Sequence, residues 1–397
     1  NLAGGMIRKV KVKDLKTGMY VVKYGEGTYT NPFISIEKPI LSEKSVTQYI
    51  PAHVAEVFID DAINLDIRAA VRAAAEAPDE GPPPRVPLAD EIVVVEKVYN
   101  EALSYAKTFM DDVRKGKNVD YRDSLPMVDG VIDSVFRNER AGATLCKLRR
   151  FDEYTYTHCI NVSVLAVILG RHLRLSKKAL RMLGVAGLFH DVGKAKIPED
   201  ILNKPGQLSD KEFKVMQGHS LEGYRIMVGQ KGLHPEILKA ILQHHERYDG
   251  RGYPQGLKGP DIGKFSRIVS VVDVYDALTS KRVYKDALAP TRALGMMYQW
   301  RLSDFYPNSV EHFIKCMGVY PVGSFVRLSD GSFGIICDDN PAYLLRPKIK
   351  VIMDRNMRVT PIRVDLADQR GAAEPLRITE CLNPADYHVD LSRYFFT

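Results

Sequence analysis

Five histidines and two aspartates in this 397-residue chain are spaced in a way that suggests metal chemistry. His190 and Asp191 are adjacent in Leu188-Phe189-His190-Asp191-Val192-Gly193-Lys194, so one imidazole and one carboxylate reach the same point. A carboxylate has two oxygens and can bridge two cations, so a second ligand set would make this pair the middle of a binuclear centre. His158, His219, His244, His245 and Asp273 supply candidates for that set. His158 precedes Val162, Leu165 and Leu169 at helical spacing and shares their apolar stripe. His244-His245 closes a segment whose buried side is marked by Leu238, Ile241 and Leu242. Asp273 ends Ile268-Val269-Ser270-Val271-Val272, where an unpaired carboxylate would be strongly disfavoured. Any one of these histidines alone reads as a satisfied core residue; seven such groups on the inner sides of consecutive helices read as ligands. His53, His172, His234, His312 and His388 lack such company and read as ordinary.

The elements that carry these groups have helical period from Asp90 to Met317. Asp90 is placed to cap a long helix running through Val113, and Ser176 to cap one with Leu180, Leu183, Ala186, Gly187 and His190 on one face. Ser209 and Glu212 form a Ser-x-x-Glu capping box for a helix with Met216, His219 and Gly223 on one stripe. Upstream, residues 6–63 are short and mixed: alternation at 9–12, a turn at 15–18, an extended run at 19–22, a helix at 42–49 and a closing strand at 56–59. A weakly amphipathic helix over 69–77 is broken by Gly81-Pro82-Pro83-Pro84, a stiff spacer. After Pro321 the period becomes two, with a hairpin of 325–328 and 333–336 about the turn 329–332, then a strand at 348–353. The expected fold class is multidomain: a small N-terminal α+β domain at 6–80, a Pro-rich linker at 81–89, a central all-α helical bundle at 90–318 and a small C-terminal β-rich module at 319–397. Residues 1–5 read as a cloning remnant, with Met6 the natural start.

A net charge of +7 is mild for this length and biases the surface toward anionic partners at most. Cys146, Cys159, Cys316, Cys337 and Cys381 form an odd set without CxxC, which argues against a disulfide framework and for a reducing compartment. No apolar run reaches the roughly 18–20 residues of a membrane span and no signal peptide opens the chain, so a soluble, cytoplasmic protein is expected.

The order His158, His190-Asp191, His219, His244-His245, Asp273, with His244-His245-Glu246-Arg247-Tyr248-Asp249-Gly250-Arg251-Gly252-Tyr253-Pro254, resembles the HD-GYP family of cyclic di-GMP phosphodiesterases. Asp273-Val274-Tyr275-Asp276-Ala277-Leu278-Thr279-Ser280-Lys281-Arg282-Val283-Tyr284 matches the family's later motif, and the likeness is strong over 152–288. Lys13-Asp14-Leu15-Lys16-Thr17-Gly18-Met19-Tyr20-Val21 looks like a domain of unknown function often placed before this catalytic unit.

The resemblance implies one metal held by His158, His190, Asp191 and Asp273, and a second by Asp191, His219, His244 and His245, with Asp191 bridging. Some members hold a third metal through a glutamate one turn before the first histidine. Tyr154 takes that position here and Glu153 lies about 100° round the helix, so two metals are expected. Nitrogen and oxygen ligands without thiolate suit iron or manganese, with zinc or nickel able to occupy the site on purification. The implied activity is hydrolysis of cyclic di-GMP to pGpG and onward to GMP by a hydroxide bridging two metals, without a protein nucleophile.

In the family, the lysine matching Lys194 contacts the substrate phosphate; Arg282 and Lys285 match further phosphate contacts. Tyr253 is suited to stack on a guanine or on another protein, and Asp276 to orient a ligand or a lysine. Gly250, Gly252, Gly256, Gly259 and Gly263 let the loop backbone approach a ligand or partner, Gly263 standing where the family often has proline. The family implicates this loop in binding diguanylate cyclase domains. No nucleic acid polymer is implied, and a homodimer is left open. The rival is a catalytically weak cyclic dinucleotide receptor; loss of a metal ligand or of Lys194 would favour it, and none is lost. A nucleotidase of the wider HD superfamily would lack Gly252-Tyr253-Pro254.

Overall fold

The computed structural model describes residues 7–15, 20–24, 38–39, 56–60, 86–117, 119–148, 154–280, 287–338, 340, 343, 345–369, 374–387, 389 and 391. The chain divides into two compact units, 1–83 and 84–397.

In the first unit, β1 (Ile7–Lys11), β2 (Tyr20–Tyr24), β3 (Lys38–Pro39) and β4 (Glu56–Asp60) form an antiparallel sheet in the order β1-β4-β2-β3. The closing strand expected at 56–59 is thus an inner strand, held by β1 with Val10 opposite Val57, both buried. The expected helices at 42–49 and 69–77, the turn at 16–18 and the Gly81-Pro84 spacer lie outside the described residues.

The second unit begins with the helices α1 (Leu88–Arg114), α2 (Leu125–Arg137), α3 (Glu139–Leu148), α4 (Tyr154–His172) and α5 (Lys177–Phe189). It continues through α6 (Glu199–Leu202), α7 (Asp210–Gln217), α8 (His219–Val228), α9 (Pro235–Gln243), α10 (Lys264–Thr279), α11 (Pro290–Trp300) and α12 (Ser309–Met317). Ser176 caps α5 by accepting from Ala179 N, and the Ser209–Glu212 capping box of α7 is complete. Two expectations need correction. Asp90 lies in the first turn of α1 and is not its cap; Pro87 precedes the helix with φ preset, and a first-turn carboxylate still complements the helix dipole. The stripe through Met216 and His219 spans two helices, because Gly218 interrupts the ladder and α8 starts at His219.

α4 is the post of this unit. Every residue from Thr157 to Gly170 is buried, so the expected single apolar stripe is an apolar surface all round, the pattern of a helix enclosed by others. Its polar members must then find partners: Ser163 Oγ donates to Gly184 O of α5 at 2.8 Å. After α12 come β5 (Phe325–Leu328), β6 (Phe333–Asp338), β7 (Lys348–Met353), β8 (Val359–Asp365) and β9 (Ile378–Leu382). They form one antiparallel sheet in the order β8-β7-β6-β5-β9. The expected hairpin is present, with Phe325 opposite Ile335 and Gly331 at φ +85° in its turn. Alternation sorts its side chains into two cores, Val326, Leu328, Ile336 and Ile349 in one and Phe325, Phe333, Ile335 and Ile352 in the other. Arg140 of α3 pairs with Asp338 of β6.

Between α5 and α6 the chain makes a 3-10 turn, Val192–Lys196, and α8 crosses it at backbone contact. A Cβ on Gly193 would stand 1.9 Å from His219 O and 2.4 Å from Gly223 N, atoms that cannot step aside. Gly193→Ala should therefore part α8 from the His190-Asp191 turn, costing about 3 kcal/mol and lowering the melting temperature by about 5 °C or more. A variant that melts with the wild type would show that the two backbones are not locked together.

Candidate metal centre

Four helix ends and two enclosed helices bring the seven expected ligands together. His190 caps the C-terminal end of α5, His244 that of α9, and His219 opens α8 at the Gly218 break. The last carbonyls of a helix lack intrahelical donors, and these imidazoles use them. Nδ1 of His190 lies 2.8 Å from Gly187 O, that of His219 2.7 Å from Met216 O, and that of His244 2.8 Å from Ile241 O. A carbonyl only accepts, so each ring carries its proton on Nδ1 and turns Nε2 inward. His158 is oriented differently: its Nδ1 donates to Asp276 Oδ2 at 2.7 Å. The spacing of three residues from carbonyl to histidine is a helix-end signal, visible in sequence only once the helix ends are known.

The seven groups fall into two sets that share a centre. Ligand atoms of Asp191, His219, His244 and His245 lie within 4.8 Å of one another, and so do those of His158, His190 and Asp273. The two oxygens of Asp191 face different sets. Oδ1 is 3.2 Å from His219 Nε2 and 3.8 Å from His244 Nε2; Oδ2 is 3.2 Å from His190 Nε2 and 3.7 Å from His158 Nε2. Asp273 Oδ1 is 3.1 Å from His158 Nε2, and its Oδ2 is 3.9 Å from His245 Nδ1.

Burial sets the charge state of this cluster. It lowers the pKa of His219 to about 4 and, with His219 adjacent, that of His245 to about 3; His244 is pushed well down by burial and by its histidine neighbours. Burial also opposes ionisation of Asp191, yet Lys194, His190 and His219 hold it well below the usual carboxylate range. Burial would discharge His158, but hydrogen bonds to Asp273 and Asp276 raise it to about 9. The same carboxylates that favour a proton there would favour a cation. Neutral imidazoles and ionised carboxylates are the forms that bind divalent metals. His190 Nε2 and Asp191 Oδ1 are buried without a hydrogen-bond partner among the described residues. Buried atoms of this kind are costly without a partner; Asp191 Oδ1 faces the Nε2 atoms of His219 and His244 and His190 Nε2 faces Asp191 Oδ2, so the donor set fits divalent cations.

Of the other expected site residues, Lys194 and Tyr253 are described beside the cluster. Lys194 sits on the 3-10 turn with Nζ 2.5 Å from Asp191 Oδ2, where burial opposes its charge but Asp191 raises its pKa. The ring of Tyr253 lies 4.7 Å from that of His245 and 6.3 Å from that of His219. Arg282 and Lys285 lie outside the described residues, as does Glu153; Tyr154 is the first residue of α4. Glu246 carried no expected role, yet it is buried and accepts from Gln255 N at 2.7 Å and Leu257 N at 2.9 Å, hanging the loop from the end of α9. Gly252 completes that fold-back, since a Cβ there would meet Arg247 N at 2.3 Å.

Comparison with known proteins agrees with this architecture. An HD domain matches residues 137–308, and a domain of unknown function, DUF3391, matches residues 7–124. Cyclic di-GMP phosphodiesterase PA4108 of Pseudomonas aeruginosa is 35% identical over 94% of this chain and 91% of its own length. The response regulator RpfG of Xanthomonas campestris pv. campestris, also a cyclic di-GMP phosphodiesterase, is 39% identical over 45% of this chain and 48% of its own. 3'3'-cGAMP-specific phosphodiesterase 1 of Vibrio cholerae is 35% identical over 36% of this chain and 33% of its own. Matched along almost its whole length by PA4108, and with His190-Asp191 and Gly252-Tyr253-Pro254 in place, the chain belongs to the HD-GYP family of HD-domain proteins.

Proposed function

We propose that this protein is a metal-dependent phosphodiesterase that hydrolyses cyclic di-GMP to pGpG and onward to GMP. The observation that carries this reading is the single carboxylate of Asp191 facing one ligand set with each oxygen. His158, His190, Asp191 and Asp273 are assigned to one divalent ion and Asp191, His219, His244 and His245 to the other, with iron or manganese the best match to a nitrogen and oxygen set. Bound there, two cations supply Lewis acidity and a water of lowered pKa.

The chain's own residues supply the rest. Lys194, beside Asp191 at the floor of the site, is positioned to neutralise a phosphate oxygen as charge builds on it. Tyr253 offers a flat wall next to His245 on which a purine can stack. Asp276 fixes the tautomer of His158 and so the direction of its lone pair. Arg282 and Lys285 follow in sequence and are assigned to further phosphate contacts. The full-length likeness to a cyclic di-GMP phosphodiesterase supports this substrate.

The test is anaerobic purification with metal analysis, then incubation with cyclic di-GMP while pGpG and GMP are followed. Loaded wild type should release both products; full loading without turnover would leave a receptor. His190→Ala and Asp191→Ala should lose both metal and turnover, and retained activity in either would refute the ligand assignment. Lys194→Ala should keep its metal while kcat falls about a hundredfold; unchanged kcat would remove Lys194 from the chemistry.

A further inference from the structure

A line of buried polar side chains runs from the metal centre to the first helix of the second unit. His158 Nδ1 donates to Asp276 Oδ2 at 2.7 Å, and the other oxygen of Asp276 accepts from Asn161 Nδ2 at 2.8 Å. Asn161 Oδ1 in turn accepts from Tyr99 OH at 2.8 Å. All four residues are buried, Tyr99 at 2% exposure and Asn161 at 4%. Asn161 follows His158 by three residues on α4, so the two share a face. Tyr99 stands in the middle of α1.

Each member of this line is expensive to bury and would be disfavoured without its neighbours. The direction of the bonds is consistent throughout. Tyr99 donates to the amide oxygen and thereby fixes which way the Asn161 amide faces; its NH2 then points at Asp276, whose second oxygen is held for His158. Without the phenol, the Asn161 amide loses the contact that sets its orientation, and Asp276 loses an assured donor. We infer that Tyr99 and Asn161 are positioning residues for the metal centre, acting through Asp276 on His158, so that the placement of α1 sets metal affinity.

This inference rests on the reading of His158 as a metal ligand. The measurement is the apparent Kd for Mn2+ on the full chain, by competition with a chelator, alongside the melting temperature. Tyr99→Phe and Asn161→Ala should each weaken Mn2+ binding about tenfold, the scale of outer-shell effects. The double variant should be no weaker than the worse single one, because the two act in one line. Tyr105→Phe is the control. It removes a phenol of the same helix, one that donates to Asp120 O at 3.2 Å outside the line, and should leave Mn2+ affinity at the wild-type value. Equal affinity in Tyr99→Phe and wild type, equal loss in Tyr105→Phe, or additive losses in the double variant would each overturn the inference. Wild type that binds no Mn2+ would instead sink the metal reading beneath it.

Discussion

The structure depends on one buried carboxylate. Asp191 lies in an interior where an isolated charge would be strongly disfavoured, and it is ionised only because positive or polarisable groups surround both of its oxygens. That requirement orders the neighbourhood: Lys194 must sit against one oxygen, four imidazoles must turn inward, and the turn bearing Asp191 must lie flush with α8. Divalent cations held by these residues would relieve it, and would supply the Lewis acidity that a phosphodiester needs.

The means of aiming the imidazoles is economical. Helix C-terminal ends leave carbonyls unsatisfied, and His190, His219 and His244 each take one with Nδ1, so backbone geometry orients the ligands with no extra side chain. His158 lies near the N-terminal end of α4, away from the free carbonyls of a helix C-terminus, and a carboxylate, Asp276, does the same job. The line from Asp276 to Asn161 and Tyr99 follows from that difference: leaving the second oxygen of a buried carboxylate unpaired is costly, and Asn161 supplies its donor.

The convergence of these seven groups was legible in the sequence because histidine and aspartate are seldom placed on apolar helical faces, and burying so many of them inside one bundle is costly unless they serve one another or a cation. The Ser209-x-x-Glu212 box and the Phe325 hairpin were legible for local reasons, since capping and turn chemistry lie within a few residues. The outer strands β8 and β9 were not, because β8 is mostly exposed and carries Pro361, which weakens the alternation that marks a strand. The split at Gly218 escaped because a glycine inside a helical pattern is usually tolerated. Tyr99 and Asn161 could not be found at all: their partners are separated by 62 and 115 positions, and nothing local to either distinguishes a relay from ordinary core.

If Asp191 joins two ions, those ions must sense each other magnetically. Electron paramagnetic resonance of the Mn2+-loaded protein, with bound metal counted per chain, reads this directly. Two ions per chain with an exchange-coupled spectrum are the predicted result; one ion per chain, or two giving the six-line signal of isolated Mn2+, would contradict a shared carboxylate.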